Sequence, residues 1–96
     1  MVIGVLQIEI VIDGSESLKD KRRVVRSLKD RLHRWHQVSV AEVGKQESLT
    51  RGVLGIVLAG SDVPYAQSVL DKIVDKLKQG RGYYLDDYEV EILTGR

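Results

Sequence analysis

Lys19, Arg22, Arg23, Arg26, Lys29, His33 and Arg34 recur at spacings that a helix turns onto one side. Guanidinium groups carried on a rigid element suit phosphate oxygens, which they grip in bidentate geometry. Arg22 and Arg26 place like charges on adjacent turns, an arrangement that costs an isolated helix stability. The chemistry these residues fit is recognition of a polyanion. Residues 19–34 hold eight basic side chains against Asp20 and Asp30, a net +6, while the rest of the chain carries −5. The formal total of +1 conceals that asymmetry, which bears on partners and not on fold. The candidate nucleic-acid-binding residues are therefore Lys19, Arg22, Arg23, Arg26 and Lys29, with Arg51 as an auxiliary and Lys45 and Gln46 beside it.

Other chemistry has less support. The 96 residues contain no cysteine, so there is no thiol nucleophile, disulfide or thiolate metal site. His33 and His36 lie at i, i+3 with no neighbouring carboxylate to complete a metal site, and are expected to be surface imidazoles beside Trp35. Asp86, Asp87, Glu89 and Glu91 read as a solvated strand edge. Tyr83, Tyr84 and Tyr88, near Arg81, read as half-buried packing residues in preference to a stacking platform. No glycine-rich phosphate loop, nucleophile elbow or paired catalytic carboxylates occur, so the expectation is a non-enzymatic protein with no cofactor, metal or small-molecule substrate.

These side chains need elements to hold them. Leu6, Ile8, Ile10 and Ile12 alternate with Gln7 and Glu9, the period of a half-buried strand over Val2 to Ile12 and not the pattern of a secretory leader. Ser17 is a capping residue, and Asp20 three residues on partly imitates a capping box. Leu18, Val25, Leu28, Leu32 and Trp35 then recur at helical spacing, predicting a helix from Leu18 to Trp35. Val38 to Val43 and Val53 to Ala59 are β-rich runs flanking a polar loop over Gly44 to Gly52, which reads as a hairpin. Pro64 opens a second helix whose stripe is Ala66, Val69, Leu70, Ile73, Val74 and Leu77, ended by Gly80. A last strand near Tyr83 to Thr94 alternates Tyr88, Val90 and Ile92 with Glu89 and Glu91.

The order β-α-β-β-α-β within 96 residues predicts an α+β, ferredoxin-like domain spanning the chain, an antiparallel sheet with two helices on one face. The other face of that sheet is left uncovered. RNA-recognition motifs of this architecture stack bases on aromatics of the central strands. Here there is no Phe, and Gln7, Glu9, Glu89 and Glu91 make the open face acidic. Phosphate recognition is thereby assigned to the first helix, while the open face is left to a homodimer or a protein partner. No stretch approaches the ~20 apolar residues of a membrane-spanning helix, and a cytoplasmic setting is expected.

SLKDKRRVVRSL (residues 17–28), VSVAEV (residues 38–43) and the loop residues Gln46 and Arg51 occur in one order along the chain. In these runs the chain resembles the YlxP-like family of small, uncharacterised bacterial proteins. The resemblance implies a ferredoxin-like fold and, because such genes often lie near those of translation initiation factors and a ribosome-binding factor, a partner in structured RNA or a ribosomal subunit. Leu49 stands where many members carry an aromatic.

Overall fold

The computed structural model describes residues 1–95. The elements run β1 (Val2–Val11), α1 (Leu18–Trp35), β2 (Ser39–Gly44), β3 (Arg51–Gly60), α2 (Val63–Lys78) and β4 (Tyr84–Leu93). The four strands form one antiparallel sheet in the order β2-β3-β1-β4. This is the expected ferredoxin-like α+β arrangement.

Local chemistry explains the boundaries. The Ser17 hydroxyl accepts the Asp20 N–H at 3.1 Å, and the Asp20 carboxylate reaches back to the N–H of Glu16 at 3.2 Å, one residue before the usual capping-box donor. Asp62 caps α2 by accepting the Tyr65 N–H at 2.8 Å. At the far end of α2, Tyr83 folds back so that its hydroxyl donates to the Leu77 carbonyl at 3.0 Å. A Cβ on Gly80 would collide with that ring, so only glycine lets the tyrosine in. Tyr83 is thus buried outside β4, not the first residue of the strand.

Alternation sorts each strand's side chains between two faces. Leu6, Ile8 and Ile10 of β1 and Leu54, Ile56 and Leu58 of β3 are buried, and they join Val25, Leu28 and Leu32 of α1 and the α2 stripe in one core. Each fully buried Leu or Ile contributes roughly 1.5–3 kcal/mol over its exposed state. The opposite face carries Ile3, Val5, Gln7 and Glu9 of β1, Val57 of β3 and Asp87, Glu89 and Glu91 of β4, by the register of the pairs. Register also moves Arg51 and Gly52 out of the expected loop and into β3, paired with Val11 and Ile10.

One charged residue belongs to the interior. Lys21, on α1, is 1% exposed. Its ammonium donates to the Lys45 carbonyl at 2.6 Å and lies 3.1 Å from Glu42 Oε2 on β2. The approach to Glu42 is an ion pair without hydrogen-bond geometry, which leaves that buried oxygen with no hydrogen bond. The Lys21 side chain passes Gly52, where a Cβ would make ordinary contact with Lys21 Cε at 3.7 Å. Removing one member of such a pair leaves the other charge uncompensated. Lys21→Ala is expected to destabilise the protein in urea unfolding by about 2 kcal/mol, below the range for fully buried pairs because Glu42 keeps 21% of its side chain in water. Lys21→Met/Glu42→Leu is expected to recover most of that loss.

Candidate nucleic-acid interface

The cap at Ser17 and the buried stripe Val25, Leu28 and Leu32 fix how α1 is rotated on the core. That rotation leaves Lys19, Arg22, Arg23 and Arg26 exposed, with Lys29 half-buried behind them. Among the described residues none of these five has a carboxylate within ion-pair distance. His33 and Arg34 extend the exposed side toward the helix end. Arg31 turns away and stands 5.8 Å from the centroid of the Tyr83 ring.

Arg51 does not join this group. It lies on the uncovered face of the sheet, where its Nη1 donates to Glu9 Oε2 at 2.8 Å and to Asp86 Oδ2 at 3.0 Å. The Lys45 ammonium reaches the same Glu9 oxygen at 2.6 Å. Lys45 adopts a left-handed backbone (φ 54°) at the hairpin turn, which places its carbonyl on Lys21 and its side chain on Glu9. The sheet separates Arg51 from the α1 cations, so its expected auxiliary role there is corrected. Sequence proximity of loop cations says nothing about which face a strand turns them to.

Glu9 is held below its ordinary pKa chiefly by the hydrogen bonds from Lys45 and Arg51, which outweigh the opposing effect of desolvation, with the charges of the same two residues adding a lesser pull. Asp87, Glu89 and Glu91 extend the acidic row along β4. Gln7, Glu9, Asp87 and Glu89 border a shallow depression of about 70 Å³, and phosphate meets a repulsive surface there.

The aromatic residues scatter. Tyr83 is buried, Tyr88 lies beneath the Lys78 ammonium at 5.7 Å, and Tyr84 pairs with Val11 on the open face. They form no platform with Arg81. His36 is not a surface imidazole as expected. It is half-buried at the end of α1, its Nε2 has no hydrogen-bond partner, and desolvation followed by the charges of Lys76 and Lys72 lowers its pKa. No group of three or more metal-ligating side chains occurs among the described residues.

The fold and this site together define a small ferredoxin-like protein whose first helix presents cations and whose open sheet presents acids. Residues 3–90 match the family described as "Protein of unknown function (DUF503)", and the chain belongs to that family. The uncharacterized protein YlxP of Bacillus subtilis (strain 168) is 29% identical over 73 residues, covering 76% of this chain and 79% of that protein. The crystal structure of an antibiotic biosynthesis monooxygenase superposes with a TM-score of 0.50 at 12% identity, covering 100% of this chain and 99% of that one. A variant of SnoaB, a cofactor-independent oxygenase from Streptomyces nogalater, gives 0.47 at 12% identity, covering 99% and 93%.

The monooxygenase overturns the expectation of a non-enzymatic protein as it was argued. A full-length fold neighbour is named for a catalytic activity, so the absence of sequence motifs does not exclude catalysis on this scaffold. At 12% identity the likeness carries the fold and not the reaction. No helix among the described residues is long and apolar enough to cross a membrane.

The Glu9 cluster has a pH signature. Because the folded carboxyl is held below its ordinary value, its stabilisation is present above that value and is lost as pH falls through the folded pKa. The melting temperature of Glu9→Gln is expected to lie below that of the parent near pH 6, with the gap closing below about pH 4.5. Thermal melts across pH 3–7 measure the convergence.

Proposed function

We propose that this protein binds structured RNA, in the cytoplasm and at a ribosomal subunit, through the phosphates that meet α1. The observation that carries this reading is the exposure of Lys19, Arg22, Arg23 and Arg26 with no carboxylate partner among the described residues, whereas Lys45 and Arg51 are engaged by Glu9. Lys29 supports the same surface from its half-buried position. Unpaired guanidinium groups on a capped, well-packed helix meet phosphate oxygens without first breaking internal ion pairs. Such contacts position a duplex or a folded RNA and carry little sequence information. The acidic open face gives the complex a polarity, with RNA on the helix layer and none on the sheet.

A second reading has a separate basis. Val43, Val57 and Leu93 are 54%, 39% and 46% exposed, and Val57 and Leu93 belong to the open face by register. A second copy covering that face would bury them, and light scattering at two salt concentrations reads it as a salt-independent dimer.

Binding of ribosomal RNA fragments across a salt series tests the main proposal. Each phosphate contact contributes about 0.7–0.9 to the slope of log affinity against log salt, so four to five contacts give a slope of about −3 to −4.5. Arg22→Glu/Arg26→Glu is expected to flatten the slope by about 1.5 and weaken binding more than about tenfold, and Arg51→Gln to change neither. A flat slope in the parent protein, or an unaltered affinity in the double variant, overturns the reading.

A further inference from the structure

At the C-terminal end of α1 a cleft of about 560 Å³ opens between Trp35 and His36, the end of β3 and the first turns of α2. Leu58, Ala59 and Val69 give it an apolar floor, and Trp35 and Tyr65 bring two aromatic rings to its lining. Its volume lies within the range of small-molecule sites. Tyr65 is 54% exposed, and its ring lies close over Gly60, where a Cβ would stand 3.1 Å from its Cδ2. A tyrosine so exposed contributes little to the core, but it offers a ring face to a ligand.

Two cations stand near this cleft, and the Asp62 carboxylate that caps α2 accepts the Tyr65 N–H at its edge. The Lys76 ammonium lies 5.1 Å from the Trp35 ring centroid, and burial first, then the charges of Lys76 and Lys72, lower the pKa of His36. No carboxylate lines the cleft among the described residues. Gln37, also on its wall, is exposed, and its amide has no hydrogen-bond partner among the described residues. A flat ring, a hydrogen-bonding edge and an anion are the complements of these three features. Aromatic side chains stack on any base, and a carboxamide pairs with the edge of adenine.

We propose that this cleft binds one nucleotide unit, with the base against Trp35 and Tyr65, its edge toward Gln37, and its phosphate held by Lys72 and Lys76. The unit is either a free mononucleotide or an unstacked residue of the RNA that α1 engages. In the second case the inference rests on the RNA reading, and Arg34, exposed one residue before Trp35, continues the cationic side of α1 to the cleft.

Trp35 is the chain's single tryptophan and also lines a neighbouring depression with Arg31, Lys76 and Arg81, so its fluorescence reports ligand at either place and Tyr65→Ala singles out the cleft. The probes are adenosine 5′-monophosphate, adenosine, ribose 5-phosphate and a short single-stranded adenylate RNA. The expected result is saturable quenching of Trp35 by the monophosphate or by the RNA, with adenosine and ribose 5-phosphate each at least about tenfold weaker than the monophosphate where that binds. Tyr65→Ala and Lys72→Gln/Lys76→Gln are each expected to weaken the effective probe about tenfold or more, with unchanged circular dichroism. Quenching by the monophosphate marks a free-nucleotide site, and quenching by the RNA alone marks a residue within RNA. Failure of both probes to quench, or affinity indifferent to both variants, overturns the inference. Arg22→Glu/Arg26→Glu separates the two proposals. If salt-dependent RNA binding is lost in that variant while Trp35 never responds, the cleft proposal fails and the RNA reading stands. If the monophosphate quenches and no RNA binds, the reverse holds.

Discussion

A lysine ammonium closed off from water has to find its counter-charge inside the protein, and Lys21 finds it across an element boundary. Its side chain leaves α1, passes Gly52 of β3, and ends between Glu42 of β2 and the carbonyl of Lys45 at the hairpin turn. Desolvating an ammonium is tolerable only where a carboxylate and a carbonyl are held in place to receive it. The pair therefore specifies how the hairpin sits against the helix more than it adds to stability. Two of the runs that carry the family resemblance, SLKDKR and VSVAEV, are the ones it joins, through Lys21 and Glu42.

From that junction the charges divide between the two sides of the sheet. The Lys45 backbone is fixed by Lys21, and its side chain crosses to Glu9, where Arg51 and Asp86 complete a cluster on the open face. The hairpin cations are consumed there, in a row of carboxylates that runs on through Glu89 and Glu91. On the helix side the same core contacts hold α1 so that Lys19, Arg22, Arg23 and Arg26 face outward with no ion-pair partner among the described residues. A chain of net charge +1 is thus a two-sided object, and partners of opposite sign are directed to opposite layers. A fold neighbour named as a monooxygenase shares this architecture at 12% identity, so the fold by itself does not exclude catalysis.

Local signals were legible to within a residue or two. The Ser17 cap and the stripe from Leu18 to Trp35 bound α1 as the structure has it, because capping and amphipathicity act over one or two turns. The hairpin was legible as a hairpin but not in register: Arg51 and Gly52 read as loop residues because glycine and a cation carry no strand signal, yet they pair with Val11 and Ile10. Tyr83 read as the start of β4, and its burial against α2 depends on the space that Gly80 leaves. Register and close approach are set by contacts between distant segments, and a single sequence does not display them.

The sequence by itself determined the elements, their order, the core stripes and the concentration of positive charge on one helix, since each follows from the periodicity of neighbouring residues. Tertiary structure alone decided which charges remain free. Lys21 is one of the eight basic residues of positions 19–34 and Arg51 reads as an auxiliary to the binding group, but one is drawn into the interior by Glu42 and the other is turned to the far face by strand alternation. It also brought Trp35, His36 and Tyr65, from the end of one helix and the start of the other, around a common cleft. Electrostatic pairing and cavity formation depend on distances between residues far apart in the chain, and only the packed fold sets those distances.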